Sequence, residues 1–148
     1  MTRIVDPLLE ELRQTLLRMG SLAEAILAKA LRAVWERDTG LAAEVQDDDL
    51  EIDRIDVALD EEVTRALALQ SPVAADLRRI LAIRTMATDL ERVGDLSRNI
   101  AKSATRLAER PPVALPPLLE ELADQTTRVL RDALDSFTET DPAKAQRV

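Results

Sequence analysis

At 148 residues the chain is long enough to bury one core of ordinary size, and with no cysteine that core has no disulfide staples. Histidine is also absent, which excludes imidazole bases, Ser-His-Asp triads and Cys/His zinc sites, so any metal would be held by oxygen. A net charge of −8, with Trp35 and Phe137 as the aromatic residues, is the opposite of the basic, base-stacking surface that binds nucleic acid.

Apolar residues make up 46% of the chain, and a core of Leu, Ile, Val, Ala and Met favours helix-on-helix packing. Asp6 followed by Pro7 is a helix start signal and predicts a first helix to about Arg37. Leu8, Leu12, Met19, Ala23, Ile26, Ala30 and Val34 give it one apolar face. A second helix is expected from about Leu41 to Leu69. A third is expected from Ser71 as N-cap and Pro72 at the first helical position to about Arg110, and a fourth from Pro117 to Asp141. Asp141-Pro142 repeats the start signal for a fifth. No window alternates with period 2 between hairpin turns, so the fold class is all-α. About 30 residues at ~1.5 Å each make helices of roughly 45 Å, which bury their faces best as antiparallel neighbours in a three-helix bundle. No apolar run approaches the ~18 residues of a bilayer span and the N-terminus lacks a signal-peptide core, so the expected location is cytoplasmic.

Pro7-Leu-Leu-Glu-Glu-Leu12 recurs as Pro117-Leu-Leu-Glu-Glu-Leu122. Ala30-Leu31, Val34, Asp38 and Val45 are echoed by Ala133-Leu134, Phe137, Asp141 and Val148. The expected organisation is a three-helix repeat over 1–110 and the first helix of an incomplete second repeat over 111–148.

The second helix carries ten acids between Leu41 and Gln70, against Arg54 and Arg65. Val45, Ile52, Leu59 and Val63 form its apolar stripe. At 100° per residue Asp49 and Asp56 fall close to the centre of that stripe, with Asp53 and Asp60 on its edge. Folding back at Ser71-Pro72 pairs residues whose numbers sum to about 144. Asp49 then faces Asp95, Asp53 faces Glu91, and Asp60 lies level with Arg84. Four carboxylates drawn together repel one another and raise one another's pKa. A bound multivalent cation, shared protons, or the arginines Arg84 and Arg98 with Lys102 could each relieve this. Gly94, costing about 1 kcal/mol in a helix interior, suggests a close approach to the backbone at that level. Asp89 and Arg92 are expected in solvent, Trp35 as a half-buried helix-end aromatic, and the methionines as core filler.

Leu90-Glu-Arg-Val-Gly-Asp95 with Asn99-Ile100, and Asp49-Leu-Glu-Ile-Asp53 followed by Ile55-Asp56, resemble the ER-x-GD and D-x-x-x-D signatures of the PhoU family of bacterial phosphate-uptake regulators. Met19-Gly20, Asp60-Glu61, Pro72 and Asp76-Leu77-Arg78 agree with the same pattern. The resemblance implies two three-helix bundles related by an internal repeat, of which this chain ends within the second, as a truncated or a short form. It implies an iron cluster at Asp49, Asp53, Glu91 and Asp95, with zinc or manganese as alternatives, and no enzymatic activity. It also implies negative regulation of phosphate transport and of phosphate-regulon transcription. The partners would be the phosphate ABC transporter and its sensor histidine kinase, with membrane association only through them. The unpaired apolar face of the fourth helix, with Leu118, Leu122, Val129 and Leu134, suggests a homodimer or other homo-oligomer. Two other function classes fit the residues: a carboxylate-bridged metal-dependent enzyme, weakened because Glu-x-x-His ligand pairs cannot be made, and a metal-free helical adaptor whose acids pair with arginine.

Overall fold

The computed structural model describes residues 5–148, with side chains from residue 7 onward. Five helices follow one another: α1 (Val5–Glu36), α2 (Thr39–Gln70), α3 (Ala74–Ala108), α4 (Pro117–Thr138) and the single turn α5 (Pro142–Ala145). No strand occurs among the described residues. The expected Asp6 cap concerns a side chain outside the described ones.

The 32, 32 and 35 residues of α1, α2 and α3 make rods of roughly 50 Å. They pack against one another pairwise, with α1 against α3 the most extensive contact. Leu12, Met19, Ala23, Ile26 and Ala30 of α1 meet Val45, Ile52 and Leu59 of α2 and Ile80, Ala87 and Ala101 of α3, all buried in one core. Trp35 is half-buried against this core, and Met19 and Met86 fill it.

Each turn has its own chemistry. Arg37 closes α1 in the left-handed region at φ 55, and Asp38 begins α2 by accepting from the Gly40 and Leu41 amides. Arg37 also donates to the carbonyls of Ala108 and Arg110, placing a cation at the C-terminal end of α3. The next turn departs from the expectation. Ser71 does not cap α3; it ends α2 at φ 43, and α3 begins three residues later behind Val73, with no side-chain cap. A hydroxyl cannot serve as N-cap while its own backbone turns left-handed to terminate the preceding helix.

The α4–α5 turn reproduces the α1–α2 turn. Thr140 stands at φ 55 as Arg37 does, and Asp141 accepts from the Ala143 and Lys144 amides as Asp38 does from Gly40 and Leu41. The Asp38 amide reaches the Ala33 carbonyl at 3.0 Å, and the Asp141 amide reaches Ser136 at 2.9 Å. At Asp38 and Asp141 the two turns thus share one backbone geometry. α4 lies back on α1: Leu134 sits over Gly20, Arg131 pairs with Glu24 at 3.2 Å, and Arg13 donates to the Thr138 carbonyl at 2.8 Å.

Candidate functional site

The acids of interest lie where α2 and α3 run antiparallel. Asp49 falls in the apolar stripe of α2 between Val45 and Ile52, and it is completely buried with them. Asp53, Asp56, Glu91 and Asp95 are half-buried around it, while Asp60 is exposed. The register is the one the fold-back count gives: Arg84 Nε lies 2.5 Å from Asp60 Oδ1. Its Nη1 also reaches Asp56 Oδ1 at 2.8 Å and Thr88 Oγ1 at 2.9 Å.

Four turns further along the same face of α3, Arg98 repeats the arrangement. Its Nη1 is 2.8 Å from Asp49 Oδ2, and its Nη2 donates to Asp95 Oδ1, so one guanidinium joins the two helices. The contact with Asp49 is one of charge rather than a directed hydrogen bond. Neither carboxylate oxygen of Asp49, nor Arg98 Nε, has a hydrogen-bond partner among the described residues. Gly94 lies on the other side of the carboxylate. A Cβ there would stand 2.6 Å from Asp49 Oδ1 and 3.3 Å from Ile52 Cδ1, so the glycine makes room for a buried acid.

Burial raises the Asp49 carboxyl above its usual range; Arg98 opposes the rise, and Asp53 and Asp95 add to it. The Glu91 carboxyl is likewise raised, first by desolvation and then by the charges of Asp95, Asp53, Asp56 and Asp49. Asp49 and Glu91 therefore feel the neighbouring acids across the helix pair. As placed, however, they do not form a ligand set: among the described residues no three carboxylates converge as ion ligands. Arg98 stands between the two acids that would bridge the helices. The residues in this arrangement do not fit a bound cluster.

Asp89 and Arg92 are exposed, as expected. Two further clamps went unnoticed in the sequence. Lys29 of α1 lies 3.0 Å from Glu44 and 2.6 Å from Asp48 of α2, and Arg18 lies 2.9 Å from Glu51. Their signal was present, since these acids flank the buried stripe on the side turned to α1. Asp76, at the start of α3, is also buried, with Arg79 at 3.8 Å. A groove of about 850 Å³ between α1, α3 and the α4–α5 turn, lined by Leu9, Ile83, Met86 and Phe137, shares no residue with the acidic crossing. No helix among the described residues is long and apolar enough to cross a membrane.

Residues 16–104 match the PhoU domain family model. The chain is 40% identical over 134 residues to the phosphate-specific transport system accessory protein PhoU homolog of Pseudomonas putida, covering 90% of this chain and 52% of that protein. It is 33% identical over 140 residues to the phosphate-specific transport system accessory protein PhoU of Escherichia coli K12, covering 95% and 58%. The crystal structure of PhoU from Pseudomonas aeruginosa superposes with a TM-score of 0.92 at 34% identity, over 96% of this chain and 68% of that one. The phosphate transport system regulatory protein PhoU from Streptococcus pneumoniae gives 0.88 at 30% identity, over 97% and 67%. The chain thus spans only about half to three-fifths of the length of these curated relatives.

Proposed function

The chain belongs to the PhoU domain family, and on that premise we propose that it is a phosphate-uptake regulator acting on the cytoplasmic side of the membrane. It represses phosphate transport and phosphate-regulon signalling by contacting the phosphate ABC transporter and its sensor kinase. The observation that carries this reading is the three-helix unit itself: the family match covers most of α1, α2 and α3, including the acidic crossing that clamps α2 to α3. A regulator of this kind works by presenting helix faces rather than by turning over a substrate, and relatives named as accessory proteins support a non-enzymatic role.

The helix surfaces suit such docking. The outward acids of α2, among them Asp47 and Glu61, are exposed and offer a negative face to a basic partner. α4 exposes Leu118, Leu122 and Val129 on one side, which supports self-association as a second contact.

Co-sedimentation with vesicles tests the proposal. The purified chain is expected to pellet with proteoliposomes carrying the phosphate ABC transporter, to remain in the supernatant with transporter-free vesicles of the same lipids, and to be released by high salt. Equal recovery with both kinds of vesicle would sink the transporter contact.

A further inference from the structure

The acids at the α2–α3 crossing need a positive charge, and the two candidates for supplying it are a metal ion and a side chain. We propose that Arg98 is the resident counter-cation of this crossing and keeps divalent ions out of the group Asp49, Asp53, Glu91 and Asp95. This inference stands apart from the regulatory reading, which holds whether or not a metal is bound.

Three observations carry it. The first is position. One guanidinium reaches Asp49 on α2 and Asp95 on α3, so it already makes the bridge that a shared ion would make. Its planar fork and permanent charge suit carboxylates better than a lysine would.

The second is room. Hard divalent ions take oxygen ligands at about 2.0–2.6 Å and need several of them converging. Asp49 is wholly buried: Oδ2 faces the Arg98 guanidinium at 2.8 Å, and Oδ1 lies so close to Gly94 that a methyl group there would stand at 2.6 Å, although neither oxygen has a directed hydrogen bond among the described residues. With Arg98 in place, neither side is open to an ion with a ligand shell. Asp53 and Glu91 remain at the rim without reaching a common point with the other two.

The third is repetition. Arg84 does the same between Asp56 and Asp60, fourteen residues earlier on the same face of α3. Two arginines of α3 at whole-turn spacing each reach across to an inward acid of α2, Arg84 to Asp56 and Arg98 to Asp49, so one device is used twice along the helix pair. At each place one α2 acid, Asp49 or Asp56, lies on the core-facing side, where an uncompensated charge is most costly.

The test uses the full chain, purified without chelator from cells grown with iron, zinc and manganese supplied. Elemental analysis is expected to find far less than one ion per chain, and the thermal midpoint should not move with added Mn²⁺ or with EDTA. Arg98→Met removes the cation while keeping an unbranched side chain. Its midpoint is expected to fall and then to recover with Mn²⁺, by about 10 °C at a hundredfold excess over Kd, while Arg98→Lys stays insensitive. A wild-type chain holding one or more ions, lost in Asp49→Asn, would overturn the proposal. So would a folded Arg98→Met chain that gains no response to Mn²⁺. If Arg98→Met does not fold, metal content and the Mn²⁺ titration of the wild-type and Arg98→Lys chains still decide.

Discussion

Gly94 and Asp49 form the most informative pair of residues. Glycine in a helix interior gives up about 1 kcal/mol relative to alanine, so Gly94→Ala would ordinarily stabilise α3. Here the added methyl meets Asp49 Oδ1 at 2.6 Å and Ile52 Cδ1 at 3.3 Å, and Asp49 is buried with no exposed side toward which to swing. Overpacking of this kind costs about 1–3 kcal/mol, more than the propensity gain. Gly94→Ala should therefore lower the urea midpoint with an unchanged m-value; a raised midpoint would mean that the carboxylate gives way easily. The pH dependence follows from the same crowding. The carboxyls of Asp49 and Glu91 are raised above their ordinary 3.8 and 4.5, so the native state holds protons that the unfolded chain releases. Their contribution to stability is greatest below the unfolded values and is lost as pH rises through the raised native values. Going from pH 7 down to the ordinary glutamate value of 4.5, these two groups should stabilise the fold rather than weaken it. Urea titrations at both pH values should show a smaller change in Asp49→Asn than in the wild type. The placement of Asp49 was legible in the sequence because a stripe at 100° per residue names its centre whatever the residue type. What neutralises it was not legible, because arginine and metal make the same demand on the spacing of acids and differ only in where one flexible side chain comes to rest.

Among the elements, the turns decide how the rods are held. Arg37 and Asp38 together finish α1, hold the end of α3 and start α2, so they act on all three helices of the core. Asp38→Ala should cost about 1 kcal/mol in equilibrium unfolding, the ordinary value of an N-cap. Asp141→Ala removes the equivalent cap from α5, which is four residues long and has no buried residue, and should leave the global transition in place. Equal losses from the two would show that α5 folds as part of the core. The α2–α3 register could be counted from Ser71-Pro72 because an antiparallel hairpin consumes equal lengths on both sides of its turn. The function of Ser71 could not, since Ser-Pro signals a helix start while only the backbone shows that Ser71 is spent on ending α2. The docking of α4 was equally hidden: Leu134 over Gly20 is a contact between residues more than a hundred positions apart, and no local period announces it.

Across the whole molecule, the core of α1, α2 and α3 is satisfied and α4 is not. Ser136 is the one buried residue of α4, while Leu118, Leu122 and Val129 stand exposed at 76%, 59% and 50%. If that face mediates self-association, sedimentation velocity should show a concentration-dependent dimer in the wild type and a monomer in Leu118→Glu with Leu122→Glu. A wild-type monomer at every micromolar concentration would assign the face to another partner. The all-α architecture was legible from composition and breakers, and the family from the two acidic signatures on α2 and α3. The central claim is that this three-helix unit carries PhoU-type regulation, and the most direct measurement is repression in a living cell. A Pseudomonas putida strain lacking its own PhoU homolog, carrying a phosphate-starvation reporter, would be supplied with this chain and grown in abundant phosphate. The account predicts that the reporter is switched back off. A reporter that stays fully on, with the chain present and folded, would contradict it.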